Sequence, residues 1–548
     1  SQFTVTNEFN ESPAIMKLAQ IILIGVVSIA HNLYANRPAD EAAKQQILFF
    51  GNSSEPPSLD PHINSSVNGS RIINCLMEGL IAYHRDDDNI PEPGVAESWE
   101  HDGSYRVWTF NFREDARWSN GDSVTANDFV YSYNRMLNPE LGARYAQLLY
   151  AIKNAQAYNE SKVPFSEVGV RAIDEHTLEI ELEGPTPHFP NMVKHASWFP
   201  VHPATIEAAG GMVKQDSNWT RENYIGNGAF TLKEWSMNKV IIVEKNPLYW
   251  DAATVRLKEV HFFPTENANT DNQRFDAGSN HYVNTIPSDL IPTYIEKGES
   301  SLRVEPYLGT YFYRLNTQKE PLNDVRVRRA LTLAINQRAI VRRITKGGQT
   351  PAHGYTPPGI SGYKAPELVK YNPREARDLL AEAGFPGGEG FPKLTLIYNT
   401  SEAHRDIAIA IQQMWKSILG IDIDLRNQEW KVFLDTVHQG DYDIARAGWI
   451  GDYMYPDTFL FMWTTGNGNN ETGWSNEEYD QLISASYLEA DAEKRLKMLY
   501  DAETILLEEM PIAPIYFYTR NYRLDTRVRG WNPKLLDNHP FKHVYFEN

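Results

Sequence analysis

The chain has 548 residues, 42% of them hydrophobic and 22% charged, and a formal net charge of −19. This fits several globular domains and excludes bulk disorder; the acidic balance serves solubility first, disfavours nucleic acid and anionic membranes, and mildly favours cationic ligands. The single cysteine, Cys75, excludes an internal disulfide, a CxxC redox pair and a thiolate zinc cluster, and reads as a small buried apolar residue.

In chain order, Met16-Lys17 precedes the apolar run Leu18 to Ala30, with small residues at Ala30 and Ala35. This pattern predicts a secretory signal over 16–35, the alternative being a buried core helix. The run is shorter than the ~20 residues of a membrane span. Residues 1–15 read as an upstream segment outside the fold. No cysteine lies near the cleavage point, so the expectation is a soluble periplasmic protein without a lipid anchor. Asp86-Asp87-Asp88 reads as a solvated turn, because the alternating ligand spacing of a calcium loop is missing.

Thr125 to Leu137 opens with a capping-box pair, Thr125 and Asp128, and predicts a helix. A second helix is expected from Asn323 through Ile344, stopped by Gly347-Gly348. Asn372-Pro373 opens another that ends at Gly384. Lys393 to Tyr398 reads as a strand, and His404 to Leu419 as a helix carrying Ile407, Ile411, Met414, Trp415 and Ile418 at helical spacing. Gly420 ends it, and Ile421 to Leu425 alternates as the next strand. This is a βαβ unit with a parallel strand pair, hence α/β architecture. Open sheets of this kind bind ligands beyond the carboxyl ends of their strands. The strand Asp441 to Gly448 delivers Trp449 and Asp452 to such an edge. A carboxylate set among Trp449, Tyr453 and Tyr455 suits a buried cationic group such as the amino end of a peptide. The alternative is a turn cap ahead of Pro456.

Enzyme signatures are missing: there is no HExxH, GxSxG, P-loop or paired CxxC, and Gly466-Asn467-Gly468 reads as a loop. None of the 15 histidines is spaced with another as helical metal ligands would be. No cofactor and no metal are therefore expected, although carboxylate pairs set by the fold stay open.

Several segments carry a family resemblance: Pro57 to Pro61 (PSLDP), Met77 to Leu80 (MEGL), Phe110 to Tyr131 (FNFREDARWSNGDSVTANDFVY), Gly226 to Trp235 (GNGAFTLKEW), Lys245 to Trp250 (KNPLYW), Leu322 to Ile335 (LNDVRVRRALTLAI) and Asn427 to Trp449. From about Ile47 to its end the chain resembles the oligopeptide-binding group of periplasmic solute-binding proteins of ABC importers. The resemblance implies a two-lobed α/β periplasmic binding protein fold with an extra inserted domain, a three-domain, type II-like, cluster C arrangement. The first lobe would take 47–82, 202–306 and 516–548, the inserted domain 83–201, and the second lobe 307–515. The implied function is capture of oligopeptides in a closing cleft and delivery to the membrane permease subunits, by a monomer with no catalytic role. A cell-wall (murein) tripeptide binder, a sensory receptor partner and a secreted peptidase or esterase are the alternatives.

By resemblance, Asp452 pairs with the peptide amino terminus, and Trp449 and Gly448 line the cleft beside it. Arg446 and His404 resemble the cationic positions that meet the peptide carboxylate, His404 being equally a helix-start residue near Ser401. Trp430, Asn469, Asn284 and Val67 match other cleft positions. The chain also departs from its relatives. Gly309 and Ile450 stand where some relatives carry a disulfide. Arg314 and Ser65 stand at acidic positions, Val437 at a basic one, and Asn280-His281 where an acid is usual.

Overall fold

The structure is a computed structural model that describes residues 37–547 apart from 216 and 361. The expected signal (16–35) and upstream segment (1–15) lie outside the described residues. In chain order the labelled elements are α1 (Pro38–Lys44), β1 (Ile47–Gly51), α2 (Val67–Leu76), β2 (Ala96–His101), β3 (Val107–Phe112), α3 (Ala126–Leu137), β4 (Val170–Asp174), β5 (Thr177–Glu181), β6 (Phe230–Ser236), β7 (Val240–Lys245), β8 (Glu259–Phe263), β9 (Tyr282–Val283) and β10 (Leu302–Leu315). They continue as α4 (Val325–Leu333), α5 (Pro373–Glu382), β11 (Leu394–Asn399), α6 (Glu402–Leu419), β12 (Ile423–Gln428), α7 (Trp430–His438), β13 (Ile444–Ile450) and β14 (Ile512–Leu524).

One 11-stranded sheet runs β12-β11-β13-β10-β14-β9-β1-β8-β7-β6, with Thr350–Pro351 pairing against β14. The long antiparallel strands β10 and β14 join its two halves, and their register breaks between Pro306 and Thr310. A separate four-stranded antiparallel sheet, β2-β3-β5-β4, forms the inserted domain with α3. The molecule thus has the two-lobed α/β fold with an inserted domain.

The local signals explain most elements. Asp128 accepts the Thr125 N–H at 3.0 Å and the Trp118 indole N–H at 2.9 Å, so the capping box also anchors a core tryptophan. Asn372 caps α5 by accepting the Glu375 N–H, and Gly420 ends α6 at φ +71. β11 pairs in parallel with both β12 and β13. The strands run slightly later than the pattern predicts: β12 spans Ile423–Gln428, and β13 extends to Ile450, which places Trp449 inside it.

Two expectations are corrected. The helix from Asn323 to Ile344 is broken: α4 stops at Leu333, a short helix covers Gln337–Ile340, and a π-turn covers Val341–Thr345. The cause is local competition. Asn336 caps the second piece by accepting the Ala339 N–H at 3.0 Å, and the Trp415 indole takes the Leu331 carbonyl at 2.8 Å. In the acidic run, Asp86 and Asp87 are exposed but Asp88 is buried, paired with Lys534 at 3.0 Å and accepting the Leu536 N–H.

The scattered motifs meet in space. Glu78 of MEGL accepts the Tyr249 hydroxyl and the Trp250 indole N–H of KNPLYW, while its backbone exchanges two 2.9 Å bonds with Asn227 of GNGAF. Asp60 of PSLDP accepts from Nη1 and Nη2 of buried Arg135 at 2.9 and 2.6 Å, which fastens the first lobe to α3. Gly309 and Ile450 face each other across β10 and β13, and a Cβ on Gly309 would come within 2.3 Å of the Ile450 side chain. The Ile450 side chain fills the space that glycine at 309 leaves.

His281 also gains a physical account. Its Nδ1 accepts the Phe49 N–H at 2.9 Å and its Nε2 meets the Ala39 carbonyl at 2.7 Å, so one neutral imidazole ties β1 to α1. Burial lowers its pKa from 6.5 to about 4. Because the folded value is depressed, the unfolded chain takes up the proton first. The contribution is intact above pH 6.5 and is lost as pH falls toward 4. Unfolding in urea across this window should show His281→Phe losing less stability with acid than the wild type, by up to about 3 kcal/mol. Parallel pH profiles would contradict this role.

Candidate functional site

A cavity of about 400 Å³ lies between the lobes. Its lining includes the N-terminal end of α2, Asn284, Arg520 and Asp537, together with Tyr145 and His195. The second lobe supplies the carboxyl ends of its parallel strands: Asn399 at the end of β11, Trp430 just after β12, and Arg446 to Asp452 along and beyond β13. The ligand edge expected from sheet topology is thus where the cavity opens.

β13 contributes backbone as well as side chains. It pairs fully with β10 from Ile444 to Ile450, but with β11 only at Ile444 and Ala445. From Arg446 to Ile450 its other edge carries no strand. Free N–H and C=O groups along such an edge form a template for an added extended chain.

Asp452 is 9% exposed. Its backbone N–H donates to the Thr458 hydroxyl at 2.9 Å, and its carboxylate meets that hydroxyl at 3.3 Å and His195 Nε2 at 3.2 Å. His195 Nδ1 accepts the Ser197 N–H at 3.2 Å. His195 Nε2 thus faces the carboxylate, and no lysine or arginine pairs with Asp452 among the described residues. Trp449 fixes this corner by donating its indole N–H to the Thr458 carbonyl at 2.8 Å, and the Tyr145 ring lies 6.0 Å from it. At Gly448 the backbone lies close under Tyr518: a Cβ there would sit 2.5 Å from its hydroxyl, which would have to shift.

Arg446 donates to that hydroxyl at 2.6 Å and to Asn399 at 3.3 Å, and lies over the Tyr311 ring. It has no carboxylate partner among the described residues. His404 sits close behind, 3.3 Å from the Tyr311 hydroxyl, but is not among the residues lining the cavity. Burial and the neighbouring Arg446 hold its pKa well below the ordinary histidine value, so it is neutral in this arrangement and not the cation expected.

The other expected residues line the cavity. Val67, at the start of α2, is 46% exposed and offers its side chain to the cleft. Asn284 accepts from Arg520 at 3.1 Å and donates to Ser53 at 2.6 Å. Asn469 reaches the Arg144 carbonyl at 3.5 Å, and Trp430 stacks on Phe433. Arg314 pairs with Glu471 at 3.0 Å.

Sequence reasoning missed His195, Tyr145, Glu471, Arg71, Arg520 and Asp537. None stands in a spaced pattern, and only the fold assembles them. Asp537 is held far below the usual carboxylate range: burial opposes ionisation, but Arg520 at 2.8 Å, His539 at 2.9 Å and Arg71 at 3.2 Å outweigh it. Of the lining carboxylates and guanidiniums, Asp537 thus serves Arg71 and Arg520, and Glu471 serves Arg314. One carboxylate, Asp452, and one guanidinium, Arg446, are left without an opposite charge.

The model of bacterial extracellular solute-binding proteins, family 5 (middle region), matches residues 91–471. The chain belongs to that family. Among its relatives, the periplasmic oligopeptide-binding protein OppA of Salmonella typhimurium is 38% identical over 542 residues, covering 97% of each chain. The structure of Haemophilus influenzae OppA in complex with RPPGFSPFR aligns with a TM-score of 0.87 at 34% identity, covering 92% of this chain and 99% of that one. The murein tripeptide-binding protein MppA of Escherichia coli aligns at 0.86 with 35% identity, covering 91% of this chain and 98% of that one. An unliganded open form of MppA aligns at only 0.62, with 36% identity and 92% and 98% coverage. Equal identity with unequal fit places the difference in lobe arrangement: this family 5 protein is arranged away from the open form.

Proposed function

We propose that this protein captures oligopeptides between its lobes as a periplasmic monomer and passes them intact to the membrane permease subunits of an ABC importer. The observation that carries this reading is the pair of uncompensated charges, Asp452 and Arg446, beside a free strand edge. A peptide is an extended chain with an ammonium at one end and a carboxylate at the other. Its backbone can pair with β13 whatever its side chains, so affinity does not depend on reading sequence.

The proposed parts follow the sequence boundaries: a first lobe of 47–82, 202–306 and 516–548, an inserted domain of 83–201, and a second lobe of 307–515. The register break between Pro306 and Thr310 supports a hinge there. Across the cleft, Arg144 donates to the Gly468 carbonyl at 3.1 Å, and Asn267 to Glu402 at 2.7 Å. These bonds form only when the lobes are together. Binding without reaction is supported by membership of a solute-binding family.

Incubation with a mixed peptide pool, followed by mass spectrometry of what is retained, tests this reading. The expected result is intact short peptides with free ends. Recovery of cleaved products, or of no peptide, would overturn it.

A further inference from the structure

Arg314 is 9% exposed, yet its guanidinium is only partly used. Nη2 pairs with Glu471 at 3.0 Å, while Nε is buried without an acceptor. Glu471 is shared, because His438 Nε2 lies 3.0 Å and Arg144 Nη1 3.4 Å from its other oxygen. Two guanidiniums and an imidazole thus converge on one carboxylate, leaving at least one positive charge in excess. The Trp430 indole N–H, in the same stretch of wall, is a second buried donor without an acceptor. The wall offers donors and positive charge, and its one carboxylate is already taken.

We propose that this wall is a subsite for an acidic side chain of the ligand, held by Arg314. The inference rests on the peptide reading and specifies which peptides the cleft favours. The strand register supports it. Arg314 faces Ala445 across β10 and β13, whereas Arg446 faces Tyr313. Directly opposed residues share a sheet face and successive residues alternate, so Arg314 and Arg446 lie on opposite faces. A chain paired along the free edge of β13 points alternate side chains to the two faces, and those on the Arg314 face meet this subsite. A ligand carboxylate meeting the Arg314 guanidinium offsets the excess charge. A ligand ammonium would have to compete with two arginines for Glu471.

Calorimetry with tetra-alanine, and with peptides carrying Glu, Gln or Lys at each position after the first, tests the proposal. At one position the wild type should bind Glu at least tenfold more tightly than Gln, and Lys more weakly than either. Arg314→Met should bring Glu and Gln within twofold of each other. If Arg314→Met also loses tetra-alanine, Glu471→Gln decides: removing the internal counter-ion should widen the Glu preference, and a narrowed preference would overturn the subsite. Equal binding of Glu and Gln at every position, with tetra-alanine still bound, overturns the subsite alone. Failure of tetra-alanine to bind the wild type overturns the peptide reading and the subsite with it.

Discussion

Asp452→Asn is expected to weaken binding of a free-amine tripeptide by two to three orders of magnitude. The substitution keeps the shape of the side chain and one oxygen to accept from His195, turns an amide N–H toward the Thr458 hydroxyl, and removes the charge. Breaking one side of a buried ion pair costs about 3–5 kcal/mol, because the partner charge stays enclosed without compensation. At about 1.4 kcal/mol per tenfold, this gives the predicted loss. The N-acetylated tripeptide has no ammonium to lose, so calorimetry should show its affinity changing by less than about tenfold. Equal losses for both ligands would remove the assigned role.

Arg446→Met is expected to produce the mirror image. The free-carboxylate tripeptide should lose about a hundredfold, and its C-terminal amide much less. The ligand-free protein should melt no lower than wild type, because a buried guanidinium without a counter-ion adds little stability and a methionine of similar length fills its space. A variant that melts lower and loses both ligands alike would make Arg446 a structural residue. His404 does not replace it: burial, the larger cause of its lowered pKa, remains in the variant, and its side chain does not line the cavity.

Much of the fold was legible in the sequence wherever local chemistry dictates structure. The Thr125 capping box, the Asn372-Pro373 start and the Gly420 stop each act within one turn, and each is where the pattern placed it. The helix after Asn323 breaks at a cap of its own, Asn336, and under a distant group: the Trp415 indole takes the Leu331 carbonyl from 84 positions away. Asp88 was misread because Lys534 and Leu536 bury it from the far end of the chain. In the site, Trp449, Gly448 and Arg446 stand in a strand whose alternation showed, and Asp452 in the loop it delivers. His195 and Glu471 carry no such signal, since their meaning comes from the inserted domain and the second lobe meeting across the cavity.

The central claim is that the cavity grips a peptide by its two charged ends. It is tested most directly by calorimetry of trialanine and of N-acetyl-trialanine amide with the wild-type protein at neutral pH. The two ligands share a tripeptide backbone and differ at their ends, where neutral acetyl and amide groups replace the charged ammonium and carboxylate. The account predicts that trialanine binds and that the doubly blocked form binds at least a thousandfold more weakly. Equal affinity would contradict it.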